Sequence, residues 1–196
     1  YPGAEPIILK ILHDPESGRL LGGQAVGGKG VDKRVDVLAT AITGGMKVED
    51  LEHLDLCYAP PVGSAKDLPI MAGFAGANTR RGVMPVTTPD ELLGLNPGDV
   101  APFVLDVRSS AEFAQGHLPD AVNIPIDELR KRAEEIPRDR PVAVCCLSGY
   151  RSYLGQRILM NRGWKDVRNV QGGYRLIELF RKAFAGGAKG GSRDSG

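Results

Sequence analysis

PVAVCCLSGYRSYLGQRILMNRG, residues 141–163, changes within a few residues from the pattern of a strand to that of a helix. Its first six residues are apolar, which is typical of a strand that is buried in a parallel sheet. Ser148 and Gly149 then predict a tight turn, and the helix that follows ends at Gly163. Because ligands bind at the carboxyl ends of such strands, we expect the functional site at this turn.

The same alternation of strands and helices runs through the second half of the chain. Strand patterns occur in FVLDV, AVNIP and DVRNV, and helix patterns in TTPDELLG, SSAEFAQG, DELRKRAEEI and GYRLIELFRKAF. The first of these helices begins with a predicted cap at Thr88, a proline at position 89 and a glutamate at position 91. Strands separated by helices predict a parallel sheet with helices on both faces, so the fold class is α/β.

The first half has a different pattern, which predicts a partial α+β domain. PIILKIL and RLLGGQAVG flank a turn and predict a β-hairpin, and helix patterns follow in VDKRVDVLATAI and MKVEDLEHL. The stretch AGFAGANTRRGVMPV is small, glycine-rich and basic, which is typical of a linker. We therefore assign the partial domain to residues 1–75, the linker to 76–84, the α/β domain to 85–184 and a disordered tail to 185–196.

Composition argues against several classes of function. The formal net charge of +1 over 196 residues gives no field that would attract nucleic acid, and no apolar run approaches the roughly 20 residues of a membrane span. Three cysteines, two of them adjacent, form no disulfide framework and favour the cytoplasm, and three scattered histidines predict no metal site. Because the chain starts without a methionine or a secretory leader, we expect a fragment of a longer protein.

The turn after the central strand has the features of a site for a nucleophilic sulfur. In such a turn several backbone N–H groups point at one spot, and the start of the next helix adds its positive end. A cysteine at that spot has a lowered pKa and exists largely as the thiolate. We expect the amides of Leu147, Ser148, Gly149, Tyr150 and Ser152 to form this anion cradle. Arg151 is expected to add a positive charge that suits an oxyanion.

Two cysteines compete for the cradle. Four residues separate Cys146 from Arg151, and five separate Cys145 from it, which is the spacing of cysteine phosphatases. Phosphatase loops usually carry a histidine before the cysteine, whereas Val144 precedes Cys145 here. The alternation of the strand places Cys146 on the face of Val144 and Cys145 on the other face. These arguments favour Cys146 and leave a phosphatase that uses Cys145 as the alternative.

The α/β domain resembles a rhodanese domain over about residues 83–184, on the stretches FVLDVRSSAEFAQGHLPDAVNIP, VAVCCLSGYRS and VRNVQGGY. The resemblance implies a sulfurtransferase in which Cys146 takes a sulfane sulfur from thiosulfate, a persulfide or a polysulfide. The sulfur is then carried as a cysteine persulfide to a thiol acceptor. The six-residue loop from Cys146 to Arg151 is similar to the sulfurtransferase form, whereas the related phosphatases have a loop one residue longer. Asp106 and Arg108 are expected to support the loop as an ion pair.

The first domain resembles another family, on VDKRVDVLATAITGGMKVEDLEHLDLCYAPPVGSAKD. It is similar to the dimerisation domain of flavin-dependent disulfide reductases, in the branch of the coenzyme A-disulfide and persulfide reductases. The resemblance implies FAD, NAD(P)H and coenzyme A for the full-length protein, and a homodimer formed through residues 1–75. It also gives Tyr58 a catalytic role, as a donor to the departing thiolate. The fingerprints for flavin and nicotinamide are absent from this sequence, so we expect no cofactor to bind to it alone.

Taken together, the sequence predicts a rhodanese-type sulfurtransferase domain at the carboxyl-terminal end of a coenzyme A-disulfide or persulfide reductase. Its partners would be small sulfur donors and thiol acceptors such as coenzyme A, without nucleic acid or membrane. Besides the phosphatase, one further alternative is a rhodanese-like module without catalysis, used for docking or sensing. Two structural features distinguish these interpretations. They are whether each cysteine sulfur is exposed or buried, and which hydrogen-bond donors surround it.

Overall fold

A computed structural model describes residues 3, 5–61, 63–94 and 101–187 of the chain. The chain divides into two compact units, Tyr1–Val83 and Met84–Gly196. Each unit has its own hydrophobic core, and each is described below by itself.

The first unit contains the predicted β-hairpin and helix. Strands β1 (Ile7–His13) and β2 (Leu20–Gly27) pair antiparallel, and helix α1 (Val31–Thr43) follows them. The core between these elements is formed by Leu20, Leu38, Ala41, Val48 and Leu51. A single 3₁₀ turn, Asp50–His53, stands where the sequence predicted a second short helix.

The linker prediction is corrected by helix α2 (Leu68–Arg80), which includes most of the small, glycine-rich stretch. The Asp67 carboxylate caps its first turn by accepting from the Leu68 N–H at 2.7 Å. A Cβ atom on Gly73 would lie 2.6 Å from Cβ of Leu51, and one on Gly76 would lie 2.4 Å from a methyl group of Val48. The small residues therefore allow close packing of a helix, which composition alone does not distinguish from flexibility.

We predict that Gly73→Ala destabilises the first unit although alanine is the better helix former. The added methyl group meets the Leu51 side chain and also the backbone nitrogen of Glu52, at 2.9 Å, so the helix must shift. We expect a loss of about 1–3 kcal/mol, measured by chemical denaturation of the full chain. Ala75→Ser, on the exposed face of the same helix, is the matched control and should stay near wild type. Equal stability of both variants would contradict this packing.

The second unit is a five-stranded parallel sheet with helices on both faces, as the sequence predicted. Its strands lie in the order β3, β7, β6, β4, β5. Their bounds are β3 (Val86–Thr87), β4 (Phe103–Asp106), β5 (Val122–Asn123), β6 (Val142–Cys145) and β7 (Val167–Val170). The helices are α3 (Pro89–Leu92), α4 (Ser110–Ala114), α5 (Leu129–Arg132), α6 (Tyr150–Asn161) and α7 (Gly173–Gly187).

Strand β6 is the central strand and separates two cores. Val142, Val144 and Cys146 belong to one buried cluster, which includes Leu129 of α5 and Leu159 of α6. The alternate residues of the strand are Ala143 and Cys145. They belong to a second cluster on the other face, which includes Ile177 of α7. The predicted separation of the two cysteines onto opposite faces is therefore confirmed.

Two boundaries in this unit differ from the predictions. The predicted helix at 127–136 is a short α5 followed by a 3₁₀ turn, Ala133–Glu135. Helix α7 continues to Gly187, so a tail that begins at 185 is wrong for its first three residues, and 188–196 lie outside the described residues. The capping box of α3 is present as predicted, with Thr88 and Glu91 as its two side chains.

Candidate functional site

The loop between β6 and α6 surrounds one sulfur atom with hydrogen-bond donors. The Gly149 N–H donates to Cys146 Sγ at 3.1 Å, and the Ser152 hydroxyl lies 3.4 Å from the same atom. Gly149 has a φ of 116°, a backbone conformation that favours glycine, and this turns its N–H towards the sulfur. Residue Cys146 as a whole is 1% exposed. The loop is thus closed around a single atom.

The donors of the loop make Cys146 acidic in spite of its burial. Burial opposes ionisation, but hydrogen bonds from the Ser152 side chain and from the backbone of Ser152, Gly149 and Ser148 outweigh it. The pKa of Cys146 is therefore lowered from its ordinary value. The thiolate is stabilised chiefly by oriented N–H and O–H dipoles, which is the predicted chemistry of the anion cradle.

The first turn of α7 holds the loop from the opposite side. The Tyr174 N–H donates to the Cys146 carbonyl at 2.7 Å, and the Arg175 N–H donates to the Leu147 carbonyl at 3.2 Å. A peptide unit is planar and trans, so its C=O and N–H point in opposite directions. A carbonyl that points at α7 therefore directs the N–H of the same peptide unit away from α7, towards the sulfur. Gly173, with a φ of 60°, permits this approach, since a Cβ there would lie 2.4 Å from the Cys146 carbonyl oxygen.

Asn169 of β7 supports the cradle, and the sequence analysis did not identify it. Its Oδ1 lies 2.6 Å from the Ser152 hydroxyl, whose single proton it shares with Cys146 Sγ, and its Nδ2 donates to the Gly149 carbonyl at 3.1 Å. The amide thereby connects both donors that contact Cys146 Sγ. The available signal was an asparagine within the strand pattern VRNV, because an amide in a buried strand must find hydrogen-bond partners.

Arg151 lies at the start of α6, but its charge is already paired. Nη1 and Nη2 each donate to one carboxylate oxygen of Glu112, both at 2.7 Å. The pKa of Arg151 is raised, chiefly by the hydrogen bonds that it donates to Glu112 and then by the charges of Glu112 and of the Cys146 thiolate. The role of Arg151 as a positive charge for an oxyanion stays a prediction, and the structure adds that this charge is paired with Glu112. The sequence signal for Glu112 was a capping box, Ser109 followed three residues later by glutamate.

Asp106 and Arg108 form the buried ion pair that was expected, with a shortest distance of 2.6 Å and 2% exposure of each residue. Arg108 Nη2 also donates to the Gly116 carbonyl, and the guanidinium stacks 4.1 Å from the Tyr174 ring. Neither group contacts Cys146 Sγ in the described part of the chain. The pair instead fixes the end of β4 against the start of α7, which positions the loop.

Cys145 has the opposite environment from its neighbour. It is buried among apolar side chains, and its Sγ lies 3.4 Å from the Cys146 carbonyl. Burial, and after it the negative charges of Asp106 and Cys146, raise the pKa of the Cys145 thiol well above its ordinary value. This geometry argues against a nucleophilic Cys145, and the phosphatase alternative finds no support in it.

The remaining predicted site residues lie at the surface. Tyr150 is 64% exposed and Leu147 is half-buried. Tyr58 belongs to the first unit and is 54% exposed. Its neighbour Cys57 is also exposed.

Two further properties of the described residues concern metal binding and membrane-spanning helices. Within them, no group of three or more histidine, cysteine or acidic side chains is placed to hold a metal ion. Among the helices that the structure describes, none combines the length and apolar character needed to cross a membrane.

Comparison with known proteins identifies both units. Residues 88–178 match the family of the rhodanese-like domain, and residues 1–68 match the pyridine nucleotide-disulphide oxidoreductase dimerisation domain. A sulfurtransferase of Allochromatium vinosum is 44% identical over 71 residues, which are 36% of this chain and 66% of that protein. A coenzyme A disulfide reductase of Staphylococcus aureus is 40% identical over 74 residues, 38% of this chain and 17% of that protein.

Solved structures extend the similarity to nearly the whole chain. The reduced CoADR-RHD of Bacillus anthracis is 40% identical with a TM-score of 0.86, over 93% of this chain and 32% of that one. An NAD-dependent persulfide reductase from A. fulgidus is also 40% identical, with a TM-score of 0.79, over 89% of this chain and 31% of that one. The chain thus spans less than a third of the reductase structures that it resembles.

We predict that Ser152→Ala raises the pKa of Cys146, because it removes the side-chain donor to the thiolate while the backbone donors remain. The rise should be on the order of one pKa unit, which is the usual effect of one hydrogen bond to a charged group. The measurement is the pH dependence of Cys146 alkylation by iodoacetamide, followed on the peptide by mass spectrometry.

Ser148→Ala is the matched control for that variant. The Ser148 side chain is exposed and only its backbone contributes to the cradle, so this variant should titrate like the wild type. An unchanged profile in Ser152→Ala, or an equal shift in Ser148→Ala, would show that the Ser152 hydroxyl does not stabilise the thiolate.

Proposed function

We propose that this chain, which joins a pyridine nucleotide-disulphide oxidoreductase dimerisation domain to a rhodanese-like domain, carries sulfane sulfur as a persulfide on Cys146. The observation that carries the proposal is the buried Cys146 sulfur with its ring of N–H and O–H donors. A cradle of this kind favours the ionised form of the sulfur, which supplies the reactive thiolate without a separate general base.

In the first half-reaction, the Cys146 thiolate attacks the outer sulfur of a donor. A bond forms between Cys146 Sγ and that sulfur, and the bond that held it to the donor breaks. The electron pair leaves with the donor, as a thiolate from a persulfide or as sulfite from thiosulfate. No electrons are gained or lost overall, so the step requires neither an oxidant nor a reductant.

In the second half-reaction, a thiolate acceptor attacks the outer sulfur of the Cys146 persulfide. The new persulfide leaves on the acceptor, and the Cys146 thiolate returns to the cradle with its hydrogen bonds to Gly149 and Ser152. Because thiolates are good leaving groups when they are well stabilised, the same donors that activate the nucleophile also promote its departure.

The tight enclosure of Cys146 favours sulfur transfer over phosphate hydrolysis. A residue that is 1% exposed is reached most readily by a terminal atom with a single bonded neighbour, and a sulfane sulfur is such an atom. A phosphate ester presents four oxygen atoms around its phosphorus and needs a wider loop. The short loop from Cys146 to Arg151 therefore supports the sulfurtransferase over the phosphatase alternative.

We further propose the setting of this reaction in the full-length protein. The similarity to coenzyme A disulfide reductase and persulfide reductase supports coenzyme A or its persulfide as a partner of the domain, in the cytoplasm. FAD and NAD(P)H would bind to parts of the protein outside this chain, and no step above uses them. The matched dimerisation domain supports a homodimer formed through residues 1–75, in which Tyr58 would donate a hydrogen bond to a departing thiolate.

Mass spectrometry of the full chain after treatment with a persulfide or thiosulfate tests the assignment. We expect the Cys146 peptide to gain the mass of one sulfur atom and to lose it on addition of cyanide, which takes the sulfur as thiocyanate. Cys146→Ser should abolish the gain. Cys145→Ser is the control and should keep it, since a hydroxyl group can still donate to the Cys146 carbonyl.

Two results would overturn the proposal. Sulfur retained in Cys146→Ser at Cys145 or Cys57 would place the carrier elsewhere. A wild-type Cys146 that takes up no sulfur from either donor, and alkylates at the rate of an ordinary thiol, would favour the docking or sensing module.

A further inference from the structure

The charged groups that flank the anion cradle cancel in pairs. Arg151 pairs with Glu112, and the two side chains are each 32% exposed. Arg108 pairs with Asp106, and those two side chains are each 3% exposed. When both ion pairs are formed, the Cys146 thiolate is the only one of these five groups whose charge is not balanced by a partner.

We propose that Glu112 is a specificity-determining residue, which neutralises Arg151 and so makes the cradle select persulfide donors over the dianion thiosulfate. This inference rests on the proposed sulfurtransferase function and concerns the charge of the donor. Glu112 itself does not touch Cys146 and acts through the arginine.

The physical argument compares what each donor requires. Thiosulfate carries two negative charges, and to approach a thiolate it requires a cation that can bind its sulfite group. Arg151 is the arginine of the loop, but both of its terminal nitrogens are 2.7 Å from the Glu112 oxygens. A persulfide carries at most one charge on its sulfur atoms, and the N–H dipoles of the loop are sufficient for it.

Glu112 is held in place by its own helix, independently of Arg151. Its Oε2 accepts from the N–H and from the hydroxyl of Ser109, both at 3.0 Å, in the capping box of α4. The pKa of Glu112 is lowered to about 2, chiefly by the hydrogen bonds from Arg151, so it is ionised throughout the neutral range. The carboxylate is therefore a fixed part of the fold that an incoming anion must compete with for the guanidinium.

Two alkylating reagents of nearly equal size measure the charge at Cys146 without any sulfur transfer. Iodoacetamide is neutral and iodoacetate is an anion, so the ratio of their rates on the Cys146 peptide reports the local potential. In Glu112→Gln, which frees the arginine and keeps an acceptor for the cap, we expect the ratio to shift towards iodoacetate by about fivefold or more. Arg151→Gln leaves Glu112 uncompensated and should shift it the other way.

Ser109→Ala is the matched control for damage to the cap. It removes the hydroxyl that Glu112 accepts from but leaves the carboxylate on Arg151, so the ratio should stay near wild type. Circular dichroism and thermal denaturation of each variant check the fold. If Glu112→Gln does not fold, the opposite shift in Arg151→Gln decides the question, and no shift there would overturn the proposal.

Donor preference is then measured directly in the full chain. We expect Glu112→Gln to raise kcat/KM for thiosulfate, with cyanide as acceptor, by at least the factor seen in alkylation. The rate of Cys146 sulfuration by an alkyl persulfide, which has no other charge, should change less than about twofold. An equal change for both donors, or none for thiosulfate, would refute the role of Glu112. Failure of every variant and the wild type to accept sulfur, with the alkylation ratio shifted, would instead refute the proposed function.

Discussion

The site depends on two hydrogen bonds between the first turn of α7 and the carbonyl groups of Cys146 and Leu147. They decide which way the peptide units of the loop face, and hence that the opposite N–H groups converge on one sulfur atom. Gly173 makes them possible by letting two backbones approach where any side chain would collide. Cys146 and the helix that organises its loop thus come from different parts of the sheet, joined at the carboxyl ends of β6 and β7.

Around this contact, N–H and O–H dipoles stabilise negative charge on the sulfur. The charged side chains near the loop neutralise one another in ion pairs. Ser152 and Gly149 face the sulfur directly, and Asn169 keeps both of them in position. Dipoles held by backbone geometry need no reorganisation when the charge on the sulfur changes, which suits the sulfur transfer proposed above for Cys146. The neighbouring ion pairs contribute rigidity to the loop more than attraction for an anion.

The sequence was informative where local pattern and tertiary position coincide. The alternation of β6 placed Cys146 and Cys145 on opposite faces, and the strand–turn–helix pattern located the loop. It was misleading where one composition serves two purposes, as in α2, whose glycines allow close packing and resemble a linker. Glu112 and Asn169 were missed because their roles arise from contacts across 39 and 17 residues of sequence, which no local pattern reports.

The placement of Cys145 on the reverse side of the sheet has a consequence for oxidative damage. An oxidant that reaches Cys146 would convert it to a sulfenic acid, and many redox-sensing proteins recover from this state with a resolving thiol close by. Here the adjacent sulfur in the chain is separated from it by the thickness of a strand and is held in an apolar environment as a thiol. Cys145 is therefore not placed to act as a resolving thiol for an oxidised Cys146.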